Sequence, residues 1–554
     1  MRRLLVLILL LCCTGYAGAQ VWITGFCPDP YLHDDADEYI VLSGNGSLDM
    51  ISITDGKGGF RFPCGTVING DLTIARNGKA YRQSHGTAPD FEWLDSSPDI
   101  PDVIGGRPLR MANANDSLIL YDGTDLVQSV AWPRDVKPRE GQVHYLEDGV
   151  WDRRTLMLGQ SRFAPAEFRN VTVTTFVSPD CSDELFSEVV STASKEILLN
   201  VYEFSSPSMG ASLAGANGRG VNITMLVEGG PVGGIGTEER AALFQLNRSG
   251  IPVYAMVSTK DVHAPYRYDH AKYLVIDRRA VLLASENFKY SGFASTGTTG
   301  NRGWGVMLED PGLAGYFSTV FTMDLAAPST VPYNGSYGPL ESPSSEKRPA
   351  EFSPMKFEGA TVKPVLAPDT SDQITRLIAS ANRTVEIEEM YIKNETPLTL
   401  NPYLAEAINA SQRGVRVRVL LDSSWYDTEG PNDNDEMAAL INRIGVTEHI
   451  PLEARCANLR VSRITTIHNK GVIVDDQTVL VSSINWNSNS PQFNREAGVI
   501  IEHPGVARYF RAAFEDDWDP AVASSEQKTD YVKLIAAGVL IVLLLVVWYR
   551  RHRT

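Results

Sequence analysis

Cysteine is scarce in this chain of 554 residues, which contains six cysteines and nine histidines. Two of them, Cys12 and Cys13, lie in an apolar N-terminal stretch, which leaves four for the rest of the chain. The cysteine and histidine spacings match none of the ligand patterns of zinc sites, so we predict no bound metal. Four cysteines leave several disulfide arrangements open. The arrangement we favour pairs Cys27 with Cys64 and Cys181 with Cys456.

Positive charge is also in short supply. The chain has 50 lysines and arginines against 67 aspartates and glutamates, a formal net charge of −17. Proteins that bind nucleic acids without regard to sequence usually present a basic surface to the phosphates. The acidic balance therefore counts against a general nucleic-acid-binding surface. It is compatible with a local basic cleft, and acidity is also a common route to solubility.

Sequence patterns for nucleotide binding are missing. The segment Gly229–Gly236 is rich in glycine, but it lacks the Lys-Ser/Thr pair of a phosphate-binding loop and the spacing of a dinucleotide-binding turn. We interpret this segment as a flexible loop at the rim of a cleft, and we predict no cofactor.

Two apolar stretches predict export and membrane attachment. Residues 1–19 combine an arginine pair, an apolar run and a small-residue end, the order of parts in a signal peptide. Residues 534–549 form an apolar run, preceded by Lys533 and followed by the basic tail 550–553, which predicts one transmembrane helix at 532–549 with the tail inside. We therefore expect a single-pass cell-membrane protein with residues 20–530 outside, glycosylated at its Asn-x-Ser/Thr triplets.

Residues 20–135 are predicted to form a separate all-β domain. Short alternating segments are separated by glycine, asparagine and aspartate turns, a pattern typical of an immunoglobulin-like sandwich. The region resembles the lamin-tail domain, and it holds no catalytic set of residues, so we expect a binding or spacing role. The segments that carry the resemblance are Asp37–Leu42, Phe62–Gly65, Leu72–Arg76 and Asn115–Asp122.

One polar pattern occurs twice in the rest of the chain, with the same spacing from histidine to lysine, aspartate, serine and asparagine. The first copy comprises His270, Lys272, Asp277, Ser285 and Asn287. The second copy comprises His468, Lys470, Asp475, Ser483 and Asn485. A single His-x-Lys means little, whereas a full set of matched positions in two copies indicates a functional site.

Each copy predicts a β-hairpin that gathers its polar groups. The apolar runs 273–276 and 471–474 predict strands, followed by turns at the aspartates and second strands at 281–284 and 478–481. Residues two apart share one face of a strand, so each histidine points the same way as its lysine, and each serine as its asparagine. The hairpin then brings imidazole, ammonium and amide groups to one place in each half.

That set of groups suits phosphodiester chemistry. One neutral imidazole can attack phosphorus and a second can protonate the leaving oxygen, because the pKa of histidine lies near neutral pH. Two lysines and two amides can stabilise the charge on the non-bridging oxygens, and the scheme needs no metal. The plain alternative is two buried hairpins with solvated polar ends, which the completeness of both copies disfavours.

From about residue 165 to 525 the chain resembles the phospholipase D superfamily, whose signature His-x-Lys-x4-Asp-x6-Gly-Ser-x-Asn is usually present twice. Both copies depart from the signature at the glycine, which is Ala284 in the first and Ser482 in the second. The resemblance implies a covalent phosphohistidine, with one histidine as nucleophile and the other as general acid. It also implies structural roles for Asp277 and Asp475.

Alternating strand and helix signals predict a duplicated α/β/α fold. We place the first half at 165–327, a linker rich in proline, serine and glycine at 328–354, and the second half at 355–525. The duplication extends beyond the two motifs. The further matches are Asn301-Arg302 with Asn494-Arg495 and Asp324 with Asp517.

Glu496 follows the second motif, whereas Gly303 occupies the equivalent position of the first half. In the resembled superfamily an acidic residue after one motif supports the histidine of the other half. The resemblance therefore implies that Glu496 orients His270, and that His468 lacks such a partner. We accordingly predict His270 as the nucleophile and His468 as the general acid.

Together these features predict a membrane-anchored extracellular phosphodiesterase of the phospholipase D type, active as a monomer because both motifs lie in one chain. The anchor beside the bilayer and the acidic exterior favour a phospholipid headgroup ester as substrate. The alternatives are an extracellular nuclease that cleaves DNA or RNA, as superfamily members and lamin-tail companions both occur among such enzymes, and an inactive binding protein of the same fold.

Overall fold

The computed structural model describes residues 20–132, 139–147, 149–152, 154–260, 262–340, 346–396, 399–428 and 433–520. The predicted signal peptide, 1–19, and the predicted transmembrane helix, 532–549, lie outside the described residues. Across the described ranges, no helix is both long enough and apolar enough to cross a membrane.

The described chain divides into two compact units. The first consists of the residues up to Gln160 together with Ser258–Pro265 and Ala327–Ser329. The second consists of Ser161–Val257, Tyr266–Ala326 and the residues from Thr330 onwards. Both copies of the repeated motif therefore lie in the second unit.

The first unit is rich in β-structure, as predicted, and contains one α-helix that was not predicted. Its elements are β1 (Gln20–Cys27), β2 (Tyr39–Ser47), β3 (Ile51–Thr54), β4 (Gly59–Arg61), β5 (Val67–Asn77), α1 (Gly78–His85), β6 (Phe91–Leu94), β7 (Ile104–Gly105), β8 (Asp116–Asp122), β9 (Asp125–Trp132), β10 (Gln142–Glu147), β11 (Val150–Trp151) and β12 (Leu156–Met157). The helix joins β5 to β6, which pair in parallel and so require a crossover.

Two sheets enclose the core of this unit. One has the strand order β11-β10-β1-β2-β5-β6, with β12 beside β10, and the other has the order β7-β4-β3-β8-β9. Alternate residues of strands from both sheets, such as Ile23 of β1 and Ile53 of β3, meet in a single apolar cluster. This period of two is the signal that predicts a sandwich. The resemblance to the lamin-tail domain stays a prediction.

The first half of the second unit alternates strands and helices. Its elements are β13 (Phe168–Ser178), α2 (Ser182–Ser191), β14 (Glu196–Val201), α3 (Pro207–Gly218), β15 (Asn222–Glu228), α4 (Thr237–Arg248), β16 (Val253–Met256), β17 (Lys272–Ile276), β18 (Ala280–Ala284), β19 (Gly303–Glu309), α5 (Pro311–Leu325) and β20 (Thr330–Pro332). The last strand lies in the predicted linker and pairs with β16.

The second half repeats this order. Its elements are β21 (Met355–Ala367), α6 (Gln373–Ala379), β22 (Thr384–Glu389), α7 (Pro402–Gln412), β23 (Arg416–Leu421), α8 (Trp425–Thr428), α9 (Asn434–Glu448), β24 (Leu452–Cys456), α10 (Leu459–Ser462), β25 (Lys470–Val474), β26 (Thr478–Ser482), α11 (Ser490–Phe493), β27 (Glu496–Glu502) and α12 (Pro504–Trp518).

One continuous sheet joins the halves, in the order β20-β16-β15-β14-β17-β18-β19-β13-β21-β27-β26-β25-β22-β23-β24. The antiparallel pair β13–β21 lies at its centre, and corresponding strands follow in the same order on either side. The predicted duplication of an α/β unit is therefore confirmed. Because each half contributes the same strand order, the two motif hairpins lie at equivalent distances from the centre of the sheet.

Helices cover both faces of this sheet, which explains why its central strands are apolar throughout. Along β17, Tyr273 and Val275 pack into a cluster with helices α5 and α12, whereas Leu274 and Ile276 pack into a cluster with α2, α3 and α4. The corresponding cluster of the second half includes residues of α6, α7 and α9. The unit has the predicted α/β/α layers.

The four cysteines of the described chain are all free thiols, so the favoured disulfide arrangement is wrong. Cys27 is buried whereas Cys64 is exposed. Cys181 packs into the core of the first half, and Cys456 lies against the core of the second. The count of cysteines predicted pairing, but the fold places these four in separate environments.

Candidate active site

The two motif hairpins form as predicted. In the first, β17 pairs antiparallel with β18, with Tyr273 opposite Leu283. In the second, β25 pairs with β26, with Gly471 opposite Val481. Each histidine lies two residues before the first strand and each Ser-x-Asn follows the second, so the polar groups collect at one end of each hairpin.

The turn at the other end of each hairpin is held by the motif aspartate. The carboxylate of Asp277 accepts hydrogen bonds from the backbone N–H groups of Ser194, Lys195 and Glu196, at 3.0, 2.7 and 3.0 Å. That of Asp475 accepts from three consecutive N–H groups beginning at Asn382, at 2.9, 2.7 and 2.8 Å. Both carboxylates therefore stabilise the backbone at the start of a neighbouring strand, β14 or β22, at the hairpin end opposite the histidines.

The backbone of each histidine is bound to the opposite half. The N–H of His270 donates to the carbonyl oxygen of Arg495, and the N–H of His468 donates to that of Arg302, both at 2.8 Å. These reciprocal bonds bring the two hairpin ends together. The charges of Lys272 and Lys470 each act on both imidazoles, so the four side chains occupy one site.

Glu496, the first residue of β27, contacts His270 across the two halves. Its Oε2 lies 2.8 Å from Nδ1 of the imidazole, and both side chains are buried. Glu496 also accepts hydrogen bonds from Ser483 Oγ at 2.6 Å and Asn494 Nδ2 at 2.9 Å, and from the hydroxyl of Ser490. Although burial opposes ionisation, the His270 pair and the charge of Lys272 hold the pKa of this carboxyl below its usual range.

His468 also has a carboxylate neighbour, which corrects the prediction that it lacks one. Nδ1 of His468 lies 3.5 Å from Oε2 of Glu286, the residue between the serine and asparagine of the first motif. Glu286 is buried, and its Oε2 accepts a hydrogen bond from Asn301 Nδ2 at 3.2 Å. Glu286 lies inside the first motif, at a position that is not equivalent to Glu496, so the repeat does not indicate it.

The two lysines are fully buried beside the histidines. Nζ of Lys272 donates to the carbonyl oxygen of His270 at 2.5 Å, and Nζ of Lys470 donates to that of His468 at 2.6 Å. Burial lowers the pKa of Lys272 to about 7, although Glu496 opposes the shift, and burial also lowers the pKa of Lys470. Each ammonium group has donors left for an anion at the site.

The serines and asparagines of the motifs serve two kinds of contact. Ser285 Oγ accepts from the backbone N–H of Trp304 at 3.1 Å, and Ser483 Oγ accepts from that of Ala497 at 3.0 Å, so both brace neighbouring strands. Asn287 Nδ2 donates to Glu203 at 2.9 Å. The side-chain oxygens of Asn287 and Asn485 have no partner among the described residues. The asparagines, like the lysines, thus keep unused hydrogen-bonding capacity.

Tyr202, which follows β14, forms one wall of the site. Its ring meets the imidazole of His270 edge-on, with centroids 4.6 Å apart, and the ammonium group of Lys272 lies 5.2 Å from the ring centroid. Its hydroxyl accepts a hydrogen bond from the backbone N–H of Val232 at 2.7 Å. The glycine-rich segment Gly229–Gly236 is therefore connected to the site through this ring.

Among the described residues, three carboxylates lie close enough together to hold a metal ion. The group of close carboxylates lies in the first unit and comprises Glu92, Asp95 and Asp102. Glu92 already accepts hydrogen bonds from the N–H groups of Gly78, Ser96 and Ser97. The histidine site instead places each imidazole beside a single carboxylate and both imidazoles near two lysine ammonium groups, whose positive charge favours an anion.

Comparisons with known proteins agree with this geometry. A family model described as "Cardiolipin synthase, PLD-like domain" matches residues 186–325 and 374–518. Mitochondrial cardiolipin hydrolase of Mus musculus is 31% identical over 120 residues, which cover 22% of this chain and 48% of that protein. The hydrolase of Xenopus tropicalis is 34% identical over 125 residues, which cover 22% of this chain and 52% of that protein.

The chain spans about half the length of these curated relatives. Among solved structures, the phospholipase D family member Nuc from Salmonella typhimurium is 21% identical, with a TM-score of 0.25, and covers 31% of this chain and 100% of its own. The family model covers more than half of the present chain and includes both motifs. The chain therefore belongs to the family of the cardiolipin synthase type, PLD-like domains.

Proposed function

We propose that this protein hydrolyses phosphodiesters through a covalent phosphohistidine, with His270 as nucleophile and His468 as general acid. The observation that carries the proposal is the pair of histidines, one from each half, each beside a buried carboxylate and both under the charge of two buried lysines. Lysine ammonium groups and asparagine amides are suited to hold the non-bridging oxygens as negative charge builds on them.

The reaction has two steps. In the first, Nε2 of His270 bonds to phosphorus, the bond from phosphorus to the leaving oxygen breaks, and His468 gives that oxygen a proton. In the second, His468 takes a proton from water as the water oxygen bonds to phosphorus, and the bond from phosphorus to His270 breaks. The products are an alcohol and a phosphomonoester, and both histidines regain their starting states.

The substrate we propose is a phospholipid headgroup ester. The similar proteins of mouse and frog are named as cardiolipin hydrolases, and the matching family model carries the name of a cardiolipin synthase. The predicted membrane anchor would keep the site near a bilayer, outside the cell. The acidic net charge of −17 disfavours a long polyanion such as nucleic acid as the substrate.

The direct test uses the full chain in detergent with excess chelator. Phospholipid vesicles and single-stranded DNA are supplied in parallel, with His270→Ala and His468→Ala as controls. We expect headgroup release that is lost in both variants. DNA cleavage lost in both variants would replace the lipid substrate by nucleic acid. Silence on both substrates from a folded protein would favour the inactive binding protein.

A trapping experiment tests the roles of the histidines. A substrate labelled with phosphorus-32 is mixed with the enzyme and quenched in alkali, in which phosphohistidine is preserved, and the labelled peptide is mapped. We expect the label on His270. Label on His468 would exchange the two roles.

A further inference from the structure

The two halves have exchanged the position of an acidic residue. Glu496 begins β27 and lies opposite Ala367 of β21, while Gly303 begins β19 and lies opposite Ser178 of β13. Within the motifs it is the first half that has the glutamate. The residue between serine and asparagine is Glu286 in the first half and Ile484 in the second. Each half therefore has one carboxylate, but at a different position.

Steric contacts at the site explain why the first half has its glutamate at position 286 and a glycine at position 303. A Cβ atom at Gly303 would lie 2.5 Å from Cγ and 2.6 Å from Oε1 of Glu286, closer than real contacts allow. The glutamate side chain thus fills the volume that a side chain at position 303 would need. In the second half, the apolar Ile484 is fully buried in the core and leaves the equivalent volume to Glu496.

Glu286 faces His468 from this relocated position. Its Oε2 lies 3.5 Å from Nδ1 of the imidazole, and that nitrogen has no hydrogen-bond partner among the described residues. Oε1 of Glu286 is likewise buried without a partner. A buried polar atom without a partner is costly, so a hydrogen bond between this imidazole and this carboxyl group is favoured.

We propose that Glu286 is the positioning residue of His468, and that it replaces the acid missing at Gly303. Its carboxyl group bonds to Nδ1 of the imidazole, which turns Nε2 towards the leaving oxygen. This assignment rests on the proposed function, because it gives a carboxylate partner to the general acid of that reaction. It completes the site with one carboxylate for each histidine.

The pair also supplies the proton. Burial raises the pKa of Glu286 to about 7, although Lys470 opposes the shift, and burial lowers the pKa of His468. The charged groups that act on this pair belong to Lys470, Lys272 and Lys289, and to His270. Without substrate, the imidazole is therefore uncharged near neutral pH, and about half of the Glu286 carboxyl groups hold a proton at pH 7.

A protonated Glu286 fixes the tautomer of His468. The carboxyl O–H donates to Nδ1, so the imidazole carries its own proton on Nε2, the atom that serves the leaving oxygen. As Nε2 gives up its proton to that oxygen, Nδ1 takes the proton of Glu286. The result is a carboxylate beside a neutral imidazole with a bare Nε2, ready to accept a proton from the attacking water.

The test compares two leaving groups. Phosphatidylglycerol releases an alcohol that must be protonated, whereas phosphatidyl-p-nitrophenol releases a phenolate that needs no proton. Under single-turnover conditions, Glu286→Gln should slow glycerol release by about 10- to 100-fold, the usual loss for such a partner. Release of p-nitrophenol should change far less. Equal losses with both esters, or none with either, would overturn the assignment.

A rescue variant provides an independent check. The double substitution Glu286→Ile with Gly303→Glu copies the arrangement of the second half and restores a carboxylate in the expected place. We expect it to recover glycerol release relative to Glu286→Gln. Because Glu286→Gln preserves the shape of the side chain, the comparison of the two leaving groups remains valid even if the double variant fails to fold.

The outcome separates the two proposals. A wild-type protein that cleaves the esters, with a Glu286→Gln variant that does not distinguish them, overturns the role of Glu286 alone. A folded wild type that leaves both esters and single-stranded DNA intact overturns the proposed function, and with it this assignment. If the wild type cleaves only DNA, the same comparison is made with a thymidine dinucleotide and thymidine p-nitrophenyl phosphate.

Discussion

Arg302 of the first half and Asp517 of the second form a fully buried ion pair, with Nε and Oδ2 2.6 Å apart. Arg495 and Asp324 repeat the pair in the opposite direction, at 2.8 Å. Each arginine also binds a buried aspartate of its own half, at 2.8 Å for Asp180 and 3.1 Å for Asp369. The carbonyl oxygens of the same arginines accept hydrogen bonds from the backbones of His468 and His270. The ion pairs that join the halves therefore also position the site.

Removing one partner of these buried ion pairs should destabilise the protein strongly. Asp517→Ala leaves the guanidinium of Arg302 buried with less compensation, a change that costs about 3–5 kcal/mol when a buried pair is broken. We expect the free energy of unfolding to fall by an amount in this range, measured by urea denaturation of the full chain in detergent. Activity of the protein that stays folded should also fall, because Arg302 supports His468.

The adjacent Asp516 provides the control. It lies 3.6 Å from the same guanidinium, but its side chain is 28% exposed. Exposed pairs contribute little, so Asp516→Ala should change the free energy of unfolding by less than about 1 kcal/mol. Similar losses from both substitutions would show that charge, and not burial at Asp517, determines the effect.

The local parts of the site could be predicted from the sequence. His270 and Lys272 lie two residues apart before an apolar run, and a period of two determines the face of a strand without knowledge of the rest of the fold. The matched arginines and aspartates were visible as a repeat, but their pairing across the halves was not. It depends on the central β13–β21 pair, a contact between segments far apart in the chain.

Glu286 was missed for a different reason. A repeat comparison aligns Gly303 with Glu496 and finds an acid missing, whereas the replacement lies at an unrelated position of the motif. Only the three-dimensional structure shows that both side chains would occupy the same volume. A buried glutamate inside the Ser-x-Asn of one motif, with isoleucine in the other, was the available signal.

The motif aspartates should matter for folding more than for chemistry. Asp277→Ala removes the acceptor of three backbone N–H bonds at a residue with φ of 51°. Such losses cost about 1–3 kcal/mol of stability, so we expect a fall in thermal stability with nearly unchanged kcat per folded molecule. Neighbouring Arg278→Ala, at an exposed side chain, is the control and should have little effect. A large loss of kcat in folded Asp277→Ala protein would contradict the structural role.

Lys272 should link activity to pH. Burial lowers its pKa to about 7, so above neutral pH the empty site loses one of the charges that bind phosphate. We expect kcat/KM to decline on the alkaline side of pH 7, measured in chelator over a pH series. In Lys272→Arg the decline should be smaller, because the guanidinium stays charged, and the part that remains comes from the Glu286 carboxyl, whose pKa is also about 7.

The buried charge of Lys272 should also lower the free energy of unfolding, and should do so more at low pH than at high pH. Its pKa is lower in the folded than in the unfolded state, so the unfolded chain binds more protons and stability rises as pH increases from about 7 towards 10. Lys272→Met removes the buried charge, so we expect the variant to be more stable than the wild type at pH 6, with the difference shrinking at higher pH. Urea denaturation at several pH values measures this. A variant less stable at pH 6 would contradict the prediction.

Glu496 should control the first chemical step. Glu496→Gln keeps the shape of the side chain but removes the charge that accepts from Nδ1 of His270. Loss of a partner that fixes the tautomer of a catalytic histidine reduces turnover by a factor that ranges from about 10 to 10⁴. We expect the rate of phosphohistidine formation to fall in this range in quenched-flow experiments, with both alkyl and p-nitrophenyl esters, because His270 must attack phosphorus whether or not the leaving oxygen needs a proton. Glu502→Gln, at the exposed end of the same strand, should leave the rate unchanged. If Glu496→Gln slowed only the alkyl ester, Glu496 would support the general acid instead, and the roles of the two histidines would be reversed.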